Sequence, residues 1–321
     1  MHPWNEPLLE SLKHRAGRLP HALLIHGPQG VGKLALAEKI AQLLLCEAKD
    51  AARKPCGACE GCRWYAGGNH PDFRRLEPEA LAPQPDAAAA EEEEGEAPAR
   101  RGKPSLEIKI DQVRELADFL NIGSHRGGLR IALVHPAEEM NVNAANALLK
   151  ALEEPPAGAV FLLVSHRPAR LLPTIRSRCV ALPVAIPPRE AALRWLSAQG
   201  MADAERWLAY AGGAPLRALD YAGKAAVIER MLRAPAPVED RDELELLAEA
   251  LQKSALDRAF AALGGEAKYR TGAPPVPRTH GNAWLAYARQ LGKDRPLCRH
   301  PLNPKLFSAY LIAAMPDEVT S

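Results

Sequence analysis

HGPQGVGKLALAEK, residues 26–39, carries the spacing of a phosphate-binding loop, G-x-x-x-x-G-K-[ST], with one position changed. Gly27, Gly32 and Lys33 keep their places, and Leu34 stands where a Ser or Thr hydroxyl would hold Mg²⁺. Backbone N–H groups of such a loop cradle phosphate, and the lysine reaches the β and γ oxygens. Leu34 cannot ligate a metal, and its apolar chain is better suited to packing against a sheet. Gly27, Gly30, Gly32 and Lys33 therefore form a degenerate nucleotide site. Whether it still binds nucleotide stays open on these residues; Mg²⁺-assisted hydrolysis is compromised.

The segments around the loop set the fold class. ALLI (22–25) reads as a buried strand feeding the turn, and the next helix places Ala37, Ile40, Ala41 and Leu44 on one face. RIALV (130–134) and AVFLLV (159–164) read as two further buried strands, with a helix over 144–152 between them. Strands apolar on both faces belong to a parallel sheet covered by helices. After residue 183 the pattern is helical only, with segments at 189–199, 202–211, 215–222, within 240–263 and at 282–291. Gly-Gly and Pro-rich breaks at 212–213, 234–237 and 273–277 separate them. The expected architecture is an α/β domain over 1–183, a small helical domain over 184–228 and a larger helical domain over 229–321. The Ala/Glu/Pro tract at about 83–104 has no apolar residues for a core and reads as a solvated, disordered insertion of unassigned role.

A phosphate-loop ATPase also needs a carboxylate at the end of a neighbouring strand to hold its metal. RIALV instead runs into His135-Pro136, and Glu138 and Glu139 follow the proline, expected to face solvent. Two metal-holding positions are thus absent from their usual places.

Cys46, Cys56, Cys59 and Cys62 form C-x9-C-x2-C-x2-C, a set of four thiols suited to a closed tetrahedral Zn²⁺ site of structural type, with Gly57 and Gly61 allowing tight turns. Cys179 and Cys298 have no such neighbours and read as core residues. LLPTIRSRC (171–179) places Arg178 on a short turn at the domain rim. An arginine there is either a salt-bridged surface residue or a group supplied in trans to a neighbour's γ-phosphate.

HALLIHGPQGVGK, the four cysteines, NHPDF (69–73), NALLKALEEPP (146–156), LLPTIRSRC and GGAPLRAL (212–219) together resemble the clamp-loader branch of the AAA+ family in bacterial DNA polymerase III. The likeness covers about residues 19–220; beyond 225 only helical character and NPKLF (303–307) extend it. It implies a RecA-like AAA+ domain with a zinc module at 46–62, a helical lid and an all-α C-terminal collar. It also implies a hetero-pentameric ring with motor subunits and a delta subunit, acting on a sliding clamp and primer-template DNA. By the same resemblance Arg178 is an arginine finger acting in trans, and Ser165 and Arg217 fall at the two sensor positions. Motor subunits of that branch have a complete loop and a strand ending in Asp-Glu, so Leu34 and His135-Pro136 match its non-hydrolysing members. An active motor-type AAA+ ATPase is the alternative, and a small-molecule kinase fits poorly because the second half offers no substrate lid.

Composition excludes some classes. With 41 Lys+Arg against 39 Asp+Glu in 321 residues, charge balance alone demands no polyanionic partner. Arg126, Arg130, Arg167, Arg170 and Arg176 are local basic residues to which no DNA contact is assigned. No apolar run reaches the roughly 18 residues of a membrane span, and the N-terminus lacks signal-peptide character, so a cytoplasmic protein with no membrane partner is expected.

Overall fold

The computed structural model describes residues 1–13, 19–82, 104–122 and 128–316, so the Ala/Glu/Pro tract and Arg126 lie outside the described residues. The chain forms two compact units, Met1–Ile186 and Pro187–Ser321.

The first unit is built on a five-stranded, all-parallel sheet in the order β2-β3-β4-β1-β5. Its strands are β1 (Ala22–His26), β2 (Phe73–Leu76), β3 (Arg130–Val134), β4 (Ala159–Ser165) and β5 (Val180–Pro183). The three central strands are the three legible in sequence, since each is apolar on both faces: Ile25, Ile131 and Phe161 have no exposed surface. Both edge strands escape that reading. β2 is FRRL, with its two arginines outward, and β5 is VALP, largely exposed and closed by a proline that an edge tolerates.

Helices α1 (Glu6–Lys13), α2 (Lys33–Leu45), α3 (Glu60–Ala66), α4 (Ile110–Asn121), α5 (Val142–Glu153) and α6 (Pro173–Arg178) complete the unit. In α2 the buried face is Leu36, Ala37, Ile40, Ala41 and Leu43, while Leu44 is only half-buried. The inward stripe follows the 36, 40, 43 spacing and passes Leu44 by. α4 buries Val113, Leu116, Phe119 and Leu120 against α5 and the sheet. Cys179 packs at the margin of this core.

The second unit is helical throughout: α7 (Arg189–Ala198), α8 (Ala204–Tyr210), α9 (Pro215–Gly223), α10 (Ala225–Arg233), α11 (Arg241–Ala262), α12 (Gly281–Asp294) and α13 (Pro304–Ala313). Two apolar clusters hold it, one around Trp207, Tyr210 and Tyr221, the other around Leu247, Leu251, Trp284 and Cys298. Leu232 and Leu246 pack against both. Among the described residues no helix is long and apolar enough to cross a membrane.

Candidate functional site

The glycine-rich turn joins β1 to α2 at the C-terminal edge of the parallel sheet, where open α/β folds bind their ligands. Gly27 has φ +153, and a Cβ there would lie 2.1 Å from the carbonyl oxygen of Val184. The first glycine is therefore required by backbone packing as well as by the turn. Val184 N–H in turn donates to His26 O at 2.8 Å.

Lys33 is almost wholly buried, and its Nζ donates to Gly27 O at 2.7 Å and Pro28 O at 2.5 Å. The ammonium is folded onto carbonyls of its own loop. Burial lowers its pKa to about 8, while the negative charge of Glu138 works in the opposite direction. Leu34 follows on α2, half-buried, with no hydroxyl to offer a metal. Trp4 Nε1 and Asn5 Nδ2 both donate to Val31 O at 3.0 Å, so the N-terminal turn is stitched to the loop.

The end of β3 has no carboxylate directly after it. His135 stands there, its backbone N–H donating to Leu76 O at 2.9 Å. Its ring meets His166 edge to face at 5.3 Å. Burial, reinforced by the nearby charges of His166 and Arg75, drives its pKa down to about 4, so at neutral pH it is an uncharged imidazole.

Glu138 departs from its expected place. It turns inward, and its Oε1 accepts from the backbone N–H groups of His166 at 2.8 Å and Arg167 at 3.0 Å. Its Oε2 is buried with no hydrogen-bond partner among the described residues. The reason is local: the chain turns at Pro136 into a single 3₁₀ turn, Ala137–Glu139, which packs on the end of β4. The carboxylate there caps the backbone leaving that strand. Ser165, the last residue of β4, is fully buried, pairs in register with His26, and accepts from Arg167 N–H at 3.2 Å through Oγ.

Arg178 ends α6. Its guanidinium donates to Thr174 O at 2.9 Å and forms an ion pair with Glu153 Oε1 at 2.6 Å, with about a third of the side chain exposed. Arg217 belongs to the helical unit, where it donates to Glu249 Oε2 at 2.8 Å and to Tyr221 Oη at 2.5 Å. Burial would raise the Glu249 carboxyl, yet Lys253, Arg217 and Arg295 hold it down to about 2, so Arg217 is engaged in an interior ion network. Arg130, one of the basic surface candidates, is interior too: it is 3% exposed, 3.5 Å from Asp72, with its guanidinium over the Phe119 ring.

The four cysteines converge as their spacing predicts, with all four Sγ atoms within 4.8 Å of one another. A tetrahedral Zn–S₄ centre with bonds of about 2.3 Å places its sulfurs roughly 3.8 Å apart. The Cys46–Cys59 separation is 3.9 Å, so the donor set fits. Backbone N–H groups of Cys56, Cys59 and Cys62 point at Sγ atoms of Cys46, Cys56 and Cys59 at 3.3, 3.3 and 3.4 Å. N–H groups from Ala58 and Cys59 lower the Cys56 thiol to about 6, as a thiolate ligand requires, whereas burial pushes Cys62 up to about 12 in the absence of a cation. Gly61 lies within α3 rather than on a turn; a Cβ there would sit 2.6 Å from Leu45 O, so close packing explains it.

Sequence reasoning considered Glu138 only as a metal ligand in the active-ATPase alternative and missed its capping role, and it missed Glu153 as a site residue. Glu153 lies in the LEEPP stretch, but its pairing with Arg178 depends on the packing of α5 on α6.

The family model described as DNA polymerase III, delta subunit, matches residues 5–187, more than half of the chain. DNA polymerase III subunit delta' of Pseudomonas aeruginosa is 44% identical over 223 residues, 68% of this chain and 60% of that protein. The corresponding protein of Escherichia coli is 39% identical over 198 residues, 61% of this chain and 52% of its own. The matched part thus spans between half and three-fifths of those relatives. Among solved structures, a DNA polymerase III gamma subunit-related protein from Thermotoga maritima is similar over 95% of this chain and 97% of its own, at TM-score 0.50 and 18% identity, a likeness of fold.

Proposed function

From the premise that the chain belongs to the family described as DNA polymerase III, delta subunit, as its match over residues 5–187 shows, and that DNA polymerase III delta' subunits are among its relatives, we propose that it is the non-hydrolysing subunit of a clamp loader. In this reading it sits in a hetero-pentameric ring with motor subunits and a delta subunit, and the ring opens a sliding clamp and places it on primed DNA. The chain beyond residue 183 divides into a lid over 184–228 and a collar over 229–321.

One observation carries the reading: the metal-holding positions of the phosphate loop are filled by groups unable to hold Mg²⁺. Leu34 offers no oxygen, and the strand end offers a neutral His135. Lys33 meanwhile is satisfied by Gly27 and Pro28 carbonyls. Arg178 stands at the unit's rim with its charge balanced by a single, half-exposed Glu153. It acts in trans on the ATP of a neighbouring motor subunit, stabilising charge on the transferring phosphoryl group. Cys46, Cys56, Cys59 and Cys62 hold Zn²⁺, which supplies a structural cross-link between the end of α2 and α3.

A second reading, an active motor-type ATPase, draws on Glu138, which faces inward near Lys33. Against it, Glu138 Oε1 is already taken by two backbone N–H groups. Steady-state hydrolysis by the purified chain decides between them. The proposal expects none above background with Mg²⁺-ATP; turnover abolished by Lys33→Ala would establish the motor reading.

A further inference from the structure

Arg178 lies on a helix too short to place itself. α6 spans six residues, Pro173–Arg178, and a helix of that length is not stable alone in water. Its inner side is anchored by Leu171 and Ile175, 4% and 0% exposed, in the core shared with α5 and the sheet. Its lead-in, residues 166–172, is held by hydrogen bonds. Arg170 N–H donates to Arg167 O at 2.9 Å and Leu171 N–H to Pro168 O at 3.2 Å. The lead-in is thus bonded within itself, and its direction is set at its first peptides.

One carboxylate holds those peptides. The parallel pairing of β3 with β4 runs from Arg130↔Ala159 to Val134↔Leu163, and β1 carries its own pairing to His26↔Ser165. Past Ser165 the N–H groups of His166 and Arg167 donate to Glu138 Oε1 at 2.8 and 3.0 Å. The 3₁₀ turn Ala137–Glu139 brings this carboxylate from the end of β3 to the end of β4, so a side-chain acceptor takes over where the backbone ladder stops. Ser165 Oγ accepts from Arg167 N–H as well, at 3.2 Å. Hydrogen bonds from two N–H groups to one carboxylate oxygen are charge-assisted, and they fix the course of the chain leaving the strand.

The contacts of Arg178 itself do not aim it at a neighbour. Glu153 and Thr174 O fold its guanidinium onto its own chain, and reaching a phosphate in trans requires it to leave Glu153. What is common to both states is the position of α6. We propose, on the reading of Arg178 as an arginine finger, that Glu138 is a positioning residue for it, acting through residues 166–172. The role needs neither nucleotide nor metal at Glu138. Because the charge of Glu138 also acts on Lys33 and His135, acceptor and charge have to be separated, and Glu138→Gln does so by keeping an oxygen that accepts N–H.

Clamp-loader complexes reconstituted with Glu138→Ala, Glu138→Gln, Arg178→Ala and the Glu138→Ala/Arg178→Ala double variant, matched for assembly by gel filtration, are compared in clamp- and DNA-stimulated ATP hydrolysis. Hydrogen exchange of the purified chains is read beside it. Glu138→Ala is expected to lower kcat with KM for ATP unchanged, since a finger displaced by about 1 Å loses contact with the transition state and leaves substrate binding intact. Glu138→Gln restores parent turnover, and the double variant falls no lower than Arg178→Ala. Amides of His166 and Arg167 exchange about tenfold faster in Glu138→Ala and at the parent rate in Glu138→Gln. Parent kcat in Glu138→Ala beside a lowered kcat in Arg178→Ala overturns the proposal and leaves the finger standing. So does a Gln variant as slow as the Ala variant, which assigns Glu138 an electrostatic role, or a double variant in which the two losses multiply. Parent turnover in Arg178→Ala overturns the finger reading and, with it, this role of Glu138.

Discussion

Replacing Arg178 by alanine separates what that residue does for its own chain from what the proposed function has it do for a neighbour. Among the described residues it makes one ion pair, to Glu153 at 2.6 Å, and hydrogen bonds to Thr174 O at 2.9 Å and Ser177 Oγ at 3.4 Å. The two side chains are 34% and 49% exposed, so solvent screens the pair and its worth is about 0–1 kcal/mol. The variant should therefore melt within about 4 °C of the parent, on the scaling for domains of this size. An arginine finger removed from a phosphoryl-transfer site costs about 10³–10⁵ at that site. In the proposed ring Arg178 serves one neighbouring ATP site, so the clamp- and DNA-stimulated turnover of the reconstituted complex should fall, by less than the single-site effect. The assay is phosphate release by the assembled complex on primed DNA, with assembly checked by gel filtration. Glu153→Ala removes the same ion pair while sparing the guanidinium, and it should keep wild-type turnover. A correctly assembled Arg178→Ala complex that hydrolyses ATP at the parent rate refutes the assignment.

The purified chain should carry about one equivalent of zinc. Cys59→Ser should lose most of it, with a drop in melting temperature that chelator reproduces in the parent, as metal analysis beside thermal melting would read. Acid should destabilise the first unit through His135. Its folded pKa of about 4 lies below the unfolded 6.5, so the unfolded chain binds the extra proton between them. That stability is complete above pH 6.5 and is lost as pH falls towards 4, by up to about 2–3 kcal/mol. His135→Asn should flatten this slope in denaturant midpoints measured from pH 7 to pH 4. Gly27→Ala should destabilise the chain by more than about 2 kcal/mol, because the obstructing atom is the backbone oxygen of Val184, 2.1 Å from the added Cβ. Equilibrium denaturation with an unchanged midpoint would contradict it.

What the sequence disclosed depended on whether a segment's environment was uniform. Strands β1, β3 and β4 are covered on both faces, so continuous apolar runs announced them, whereas β2 and β5 at the edges expose residues that erase the signal. α4 has a readable period, with Val113, Leu116 and Leu120 inward. Its segment nevertheless carries no assignment in the sequence reading, which stops at the biased tract and resumes at β3. In the site, the four cysteines and the loop glycines were legible because their spacing is itself the geometry. The inward turn of Glu138 was not, since it depends on how the 3₁₀ turn after Pro136 meets the end of β4. Nor was the interior position of Arg130, whose partners Asp72 and Phe119 come from distant stretches of sequence.

The survival of a phosphate-loop motif in a chain that lacks the metal-holding groups has an explanation in packing. Gly27 admits the Val184 carbonyl, and Gly32 admits the His2 ring, whose Cδ2 would lie 2.3 Å from a Cβ at that position. His2 in turn stacks on Trp4, which is bonded to Val31 O. Lys33 is satisfied by carbonyls of its own loop. Each of the three motif residues thus has a partner within the chain that is independent of any nucleotide. Leu34 is the motif position whose usual role is metal ligation alone, and it is the position that has changed. Packing around Gly27, Gly32 and Lys33 therefore accounts for these motif residues without any bound nucleotide, and the proposed function rests instead on Leu34, His135 and Arg178.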